Sequence, residues 1–225
     1  DGRAHEDLVR KAFPIGAELP FVTAAEPDLP AFDTPAGRLG VLINTAGITR
    51  RAPAVETSSG ACRRVMQLDW QVPVELTLAL LPQLRAGEGR IVNIGSMAGW
   101  MPVPGRAGYC SAKAALGQFF EVLRAEEADR GLDVLMVYPA FLETDIERNA
   151  LGATGQPAGH ARSTVGRIRQ ADELAARIVR SLERGDATLF PDRFTWLASL
   201  LWRVAPRLFH RLVRRRFRVE LEQRR

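Results

Sequence analysis

The sequence predicts an α/β protein: a parallel sheet between helical layers, followed by a basic amphipathic helical extension. Three short apolar runs, residues 40–44, 90–95 and 133–138, each end in a loop signal, the pattern of strands buried on both faces. Stretches with helical spacing separate them. Strand, helix and strand joined by short links require right-handed crossovers, hence a parallel sheet with helices on both sides. At 225 residues, with 46% hydrophobic and 25% charged side chains, the chain can bury a full core as one domain.

The elements follow in order. Residues 5–11 read as the end of a helix and residues 18–23 as a strand. Gly40-Val41-Leu42-Ile43-Asn44 is the next strand, closed by Thr45-Ala46-Gly47. Residues 59–84 read as a long helix with Val65, Leu68, Leu76 and Leu81 among its apolar positions; Pro73 must kink it or mark an internal start. The turn Ala86-Gly87-Glu88-Gly89 feeds the strand at 90–95, and residues 96–108 read as a Gly/Pro-rich loop. A helix over 109–129 stops at Gly131, and the strand at 133–138 ends at Pro139. Residues 149–164 read as a mobile loop, 171–184 as a helix and 187–190 as a short strand. In open parallel sheets ligands bind beyond the carboxyl ends of the strands, where Asn44 to Gly47, Ser96 and Pro139 to Thr144 all fall.

Charge excludes one class of partner. Nine arginines against two acids give residues 203–225 a local +7, so the net +5 leaves residues 1–202 at about −2. A slightly acidic body lacks the basic stripe of a nucleic-acid-binding face, and no nucleic acid is expected as partner. His5, His160 and His210 are far apart and lack metal-ligand spacing, so no metal is expected. Two cysteines, Cys62 and Cys110, cannot build a disulfide framework, which points to a reducing, cytoplasmic location. Cys110 reads as a small packing residue. No run approaches the roughly 20 apolar residues of a membrane span, and the first residues carry no signal-peptide pattern.

The chemistry concentrates in Tyr109-Cys110-Ser111-Ala112-Lys113, which opens a helix and sets Tyr109 and Lys113 one turn apart on one face. A tyrosine at its ordinary pKa near 10 is a poor acid or base at neutral pH. A neighbouring ammonium favours the phenolate and makes the hydroxyl a usable proton donor to a forming alkoxide. Ser96, at the preceding strand–loop junction, can hydrogen-bond the same substrate oxygen. Proton donor, tuning cation and polarising hydroxyl together suit carbonyl reduction or its reverse; a surface Tyr/Lys pair without a role is the bland alternative.

Four blocks resemble the classical short-chain dehydrogenase/reductases. They are Asn44-Thr45-Ala46-Gly47, Ile91 to Gly99, Tyr109 to Lys113 and Pro139 to Thr144, in the family's order over roughly residues 35–190. The resemblance implies a Rossmann-type doubly wound sheet, three-layer α/β/α, in a domain spanning 1–190. It also implies NAD or NADP as cofactor and an NAD(P)-dependent oxidoreductase interconverting a ketone and a secondary alcohol. By that resemblance Tyr109 is the general acid/base, Lys113 lowers its pKa and binds the nicotinamide ribose, and Ser96 orients the substrate oxygen. Asn44, Ala46 and Gly47 would line the cofactor, with Pro139 and Thr144 holding its carboxamide or phosphate side. A homodimer or homotetramer built through the helices carrying Asp69 and Tyr109 is also implied.

Three departures from the family pattern stand out. Thr45 replaces the second Asn of Asn-Asn-Ala-Gly. Asp69 stands where the family has a catalytic Asn; its backbone carbonyl can still serve a water relay, but its carboxylate would raise the tyrosine pKa and oppose Lys113. Only 43 residues precede Asn44, where the family places roughly 80, and they hold no Gly-rich turn for a pyrophosphate. On that pattern the first strand is missing from the centre of the sheet, leaving buried backbone groups unpaired. A fragment of a longer enzyme is expected, and a short form, inactive and poorly stable, is the other reading. The alternative in function is a catalytically inactive family-like scaffold or membrane-attached binding protein.

Trp100, Met101, Pro102, Phe141 and Leu142 fall on loops flanking the substrate. They would make an apolar pocket for a lipophilic ketone or alcohol, or else pack as ordinary loop residues. The extension, residues 191–225, interleaves Trp196, Trp202, Phe209 and Phe217 with arginines, and its leucines recur at helical steps broken at Pro206. Residues 193–219 would lie on a membrane surface as a peripheral attachment, or pack on the body or a second subunit with the arginines in water.

Overall fold

The computed structural model describes residues 21–23, 37–142, 146, 150–152, 156 and 168–216. Its strands are β1 (Phe21–Thr23), β2 (Val41–Asn44), β3 (Arg90–Ile94), β4 (Asp133–Val137), β5 (Phe141–Leu142), β6 (Ile168–Arg169) and β7 (Thr188–Leu189). Its α-helices are α1 (Ser59–Met66), α2 (Val72–Ala86), α3 (Met97–Trp100), α4 (Ala107–Glu127), α5 (Ala171–Arg184), α6 (Arg193–Val204) and α7 (Pro206–Arg216). The main sheet runs β1-β2-β3-β4-β7 with every pair parallel, and β5 pairs with β6 alongside it.

The pleat sorts the strand side chains into two cores. Leu42, Ile91, Val134 and Met136 face the side covered by α2 and α4, where they join Leu80, Leu84, Leu116 and Phe120. Val41, Ile43, Val92, Leu135 and Val137 face the opposite side, closed by Leu174, Ile178 and Leu182 of α5. Both faces are buried, which is why the strands read as unbroken apolar runs. This is the three-layer α/β/α arrangement.

The structure shows the internal start that Pro73 signalled and refines other elements in detail. The helix at 59–84 is divided: Ser58 caps α1 by accepting from the Ala61 N–H at 3.2 Å, a π-helical turn spans Gln67–Gln71, and α2 restarts with Pro73 in its first turn. The Val72 N–H reaches back five residues to the Gln67 carbonyl, and Pro73 has no N–H to continue the α-helical ladder. The loop at 96–108 contains the short helix α3, and α4 begins two residues before Tyr109, at Ala107. The strand at 187–190 narrows to Thr188–Leu189. The strand expected at 18–23 contributes Phe21–Thr23, which pairs in parallel with Val41–Ile43.

Residues 5–11 and 18–20, and most of 149–164, lie outside the described residues. Gly131 ends the helical layer as expected, with a positive φ of 72° that a glycine adopts without strain.

Phe120 is fully enclosed between α4 and the sheet. Phe120→Ala is expected to lower stability by about 3–5 kcal/mol. Urea unfolding checks this, and an unchanged midpoint would contradict the packing.

Candidate functional site

The carboxyl ends of β2, β3 and β4 converge, and the loops leaving them carry the polar residues of the site. Asn44 is aligned with Asn93 across the β2–β3 pair, and its amide donates to Asn93 Oδ1 at 2.7 Å and to Thr77 Oγ1 of α2 at 3.4 Å. Its side chain is buried and ties two strands to a helix. Beyond it Thr45 is exposed, and Ala46 and Gly47 are half-buried.

Ser96 follows β3 as the N-cap of α3, its Oγ accepting from the Ala98 N–H at 3.1 Å. The first turn of α3 is held to the β4 edge, with the Met97 N–H donating to the Pro139 carbonyl at 3.0 Å. Pro139 itself is buried. Gly99 lets α3 lie directly on α4: a Cβ there would stand 2.6 Å from the Lys113 carbonyl oxygen. This close approach sets the Ser96 hydroxyl near enough to the Tyr109 phenol to favour its ionised form.

Tyr109 and Lys113 are both buried, with the ammonium 5.9 Å from the centre of the phenol ring. Lys113 Nζ donates to the Ile94 carbonyl at 3.1 Å and forms an ion pair with Asp69 Oδ2 at 3.4 Å. Asp69 is completely buried in the π-helical turn, and its Oδ1 accepts from the Ile48 N–H at 2.8 Å. Gly47 permits this junction, since a Cβ would lie 3.1 Å from Asp69 Oδ2 and 3.3 Å from Lys113 Nζ. Pro73, lacking an N–H, offers no α-helical donor to the Asp69 carbonyl four residues back.

The electrostatics follow from burial. Burial alone pushes the Tyr109 phenol above the ordinary tyrosine value; Lys113 and the Ser96 hydrogen bond pull it down, and Asp69 pushes it up. The net direction is upward. Lys113 does act in the expected sense, but desolvation is larger. Burial favours neutral Lys113, yet the charges of Asp69 and Tyr109 hold its ammonium above the usual lysine value. Burial also raises Asp69, against the pull of Lys113 and the Ile48 N–H.

Two arginines that the sequence reading passed over belong here. Arg106 Nη1 donates to Thr49 Oγ1 at 2.8 Å, and its charge favours the Tyr109 phenolate. Arg50 is buried, its Nε donating to the Gly152 carbonyl at 2.9 Å and so pinning residues 150–152 to the loop after β2. Of the apolar loop residues, Met101 is buried, and Trp100 packs in an aromatic cluster with Tyr138 and Phe190. Burial pushes the Cys110 thiol up, and its Sγ lies 3.8 Å from the Val103 carbonyl, in keeping with a packing role. Thr144 lies outside the described residues.

A sequence model described as short chain dehydrogenase matches residues 29–153, more than half of the chain. The chain belongs to the short-chain dehydrogenase family. It is 36% identical over 186 residues to "Dehydrogenase/reductase SDR family member 7B" of Bos taurus, covering 82% of this chain and 57% of that protein. The chain thus spans little more than half the length of this curated relative. A short-chain dehydrogenase from Streptomyces avermitilis superposes with a TM-score of 0.65 at 30% identity, over 78% of this chain and 69% of that one. One from Sphingobium yanoikuyae, in complex with NADPH, does so at 0.60 and 27% identity, over 69% and 58%.

The donor set fits the reacting end of the nicotinamide cofactor that the resemblance implies. Two contacts of the Lys113 ammonium leave a third N–H for a ligand oxygen, and Ser96 and Tyr109 supply hydroxyls beside it. Among the described residues no Gly-rich turn opens a helix to receive a diphosphate.

Gly99→Ala forces its methyl against the Lys113 backbone, which cannot swing aside. A loss of about 1–3 kcal/mol is expected, read by urea unfolding. Full retention of stability would show that α3 can move off α4 freely.

Proposed function

We propose that the protein is an NAD(P)-dependent oxidoreductase that interconverts a carbonyl and a secondary alcohol, with Tyr109 as general acid/base. The observation that carries this reading is the convergence of Ser96, Tyr109 and Lys113 in one buried site at the carboxyl edge of the sheet. The NADPH complex of the Sphingobium yanoikuyae relative supports a nicotinamide cofactor. When bound, that cofactor supplies or accepts the hydride.

The protein residues handle the proton. Tyr109 lies above the ordinary tyrosine value, so at neutral pH it holds its proton and can give it to the alkoxide formed from a ketone. Ser96, whose hydroxyl favours the Tyr109 phenolate, orients the carbonyl oxygen toward that proton. Lys113 keeps its charge at neutral pH and stabilises the phenolate left behind. Water is largely excluded from the three groups, which strengthens each of these interactions. Asp69 positions Lys113 and works against phenolate formation.

Half-exposed Leu78 on α2 and Val122 on α4 support a homo-oligomer joined through these helices. Thr144 remains part of the reading as a cofactor contact after Pro139. The substrate is a small ketone or alcohol, and a lipophilic one is a proposal that rests on Phe141 and Leu142 alone.

Tyr109→Phe is expected to reduce turnover at least about 10²-fold while leaving the circular dichroism spectrum intact. Undiminished turnover would remove Tyr109 from the reaction. Alcohol oxidation needs the phenolate, so its rate should rise with pH through the alkaline range, and ketone reduction should fall over the same range. Asp69→Asn removes the charge that raises Tyr109 and should move both profiles toward acid. A superimposable pH–rate profile would show that the carboxylate does not act on the tyrosine.

A further inference from the structure

We propose that α6 and α7 form a docking surface for an anionic lipid membrane. The first observation is that α6 is packed inside out. Thr195 and Ser199 face the body and are buried, whereas Leu197 and Val204 are 55% and 71% exposed. At 100° per residue, Phe194, Leu197, Leu200 and Val204 fall on one side of α6, opposite Thr195 and Ser199. In α7, Leu208 and Leu212 stand one turn apart and are about half exposed.

This orientation is fixed by the chain itself. The two inward hydroxyls are satisfied locally: Thr195 Oγ1 donates to Asp192 Oδ2 at 2.6 Å, and Ser199 Oγ donates to the Trp196 carbonyl at 2.6 Å. The buried polar side of α6 therefore leaves no hydroxyl unpaired, and the apolar side is free to turn outward. The Arg203 guanidinium lies 3.9 Å from the centre of the Trp100 ring, clamping α6 to α3. Trp202 packs on Phe209 at 5.4 Å and joins α6 to α7.

The charge identifies the occupant. Residues 193–216 hold seven arginines and no acid. A second copy of the chain paired through the same face would set one arginine array against the other. An anionic bilayer instead meets both features: its headgroups attract the guanidinium groups, and its acyl boundary takes the apolar side chains. Among the described residues no helix is long and apolar enough to cross a membrane, so the two helices would lie in the interface plane. Trp100 stands four residues after Ser96, so the docking helix rests on the same short helix that the catalytic serine caps.

The test is vesicle flotation of the full chain, using phosphatidylcholine vesicles with and without phosphatidylserine. The wild type is expected to float with the anionic vesicles and to be released by salt. Two double variants separate the forces, Leu197→Glu/Val204→Glu and Arg207→Glu/Arg211→Glu, all at exposed positions. Each should float at least about tenfold less than wild type while keeping its circular dichroism spectrum. Absence of wild-type flotation, or equal flotation of the variants, would overturn the proposal. So would a Leu197→Glu/Val204→Glu variant whose sedimentation coefficient drops while its flotation is unchanged, because the face would then join protein to protein.

Discussion

The buried ion pair between Asp69 and Lys113 is the constraint around which the site is built. The two groups lie 3.4 Å apart, and neither carries appreciable solvent exposure. Leaving either charge unpaired at this depth would be strongly unfavourable, so the backbone around them is arranged to supply partners. The Ile48 N–H serves one carboxylate oxygen and the Ile94 carbonyl serves the ammonium. Gly47 keeps the space between them clear. The end of β2, the end of β3, the π-helical turn and α4 thus meet at one point because two charges must be satisfied there.

The same constraint sets the electrostatic balance at Tyr109. Desolvation raises its pKa, Lys113 opposes that rise, and Asp69 partly cancels Lys113. A neutral amide at position 69 would remove the last of these influences and also leave the ammonium without its counter-charge. The carboxylate therefore trades some activation of the tyrosine for a lysine held firmly protonated. Tyr138, the only other tyrosine, illustrates burial without a neighbouring ammonium: it is pushed up to about 12, chiefly by desolvation.

Much of this was legible before the structure. β2, β3 and β4 were readable because strands buried on both faces are continuous apolar runs, and the right-handed crossover rule then forces their polar ends onto one rim. The motif residues Ser96, Tyr109 and Lys113 could be assigned to that rim with no knowledge of distances. The resemblance also set Asp69 near Tyr109, but not its direct ion pair with Lys113, which joins positions far apart in sequence through a turn whose five-residue hydrogen bond has no compositional signature beyond Pro73. Arg50 and Arg106 were invisible for a different reason: an arginine in a polar loop reads as a solvated side chain unless its partners are known. The inward polar side of α6 was hidden in the same way, since the leucine spacing marks an apolar stripe but not the direction it faces.

Titration of the two tyrosines by tyrosinate absorbance tests the central coupling most directly, comparing wild type with Lys113→Met. Tyr109→Phe serves as the reference that assigns the Tyr109 step beside Tyr138, which burial pushes up to about 12. If the ammonium counteracts burial at Tyr109, its loss must move that step to higher pH. An unchanged step, or one moved to lower pH, would contradict the role assigned to Lys113.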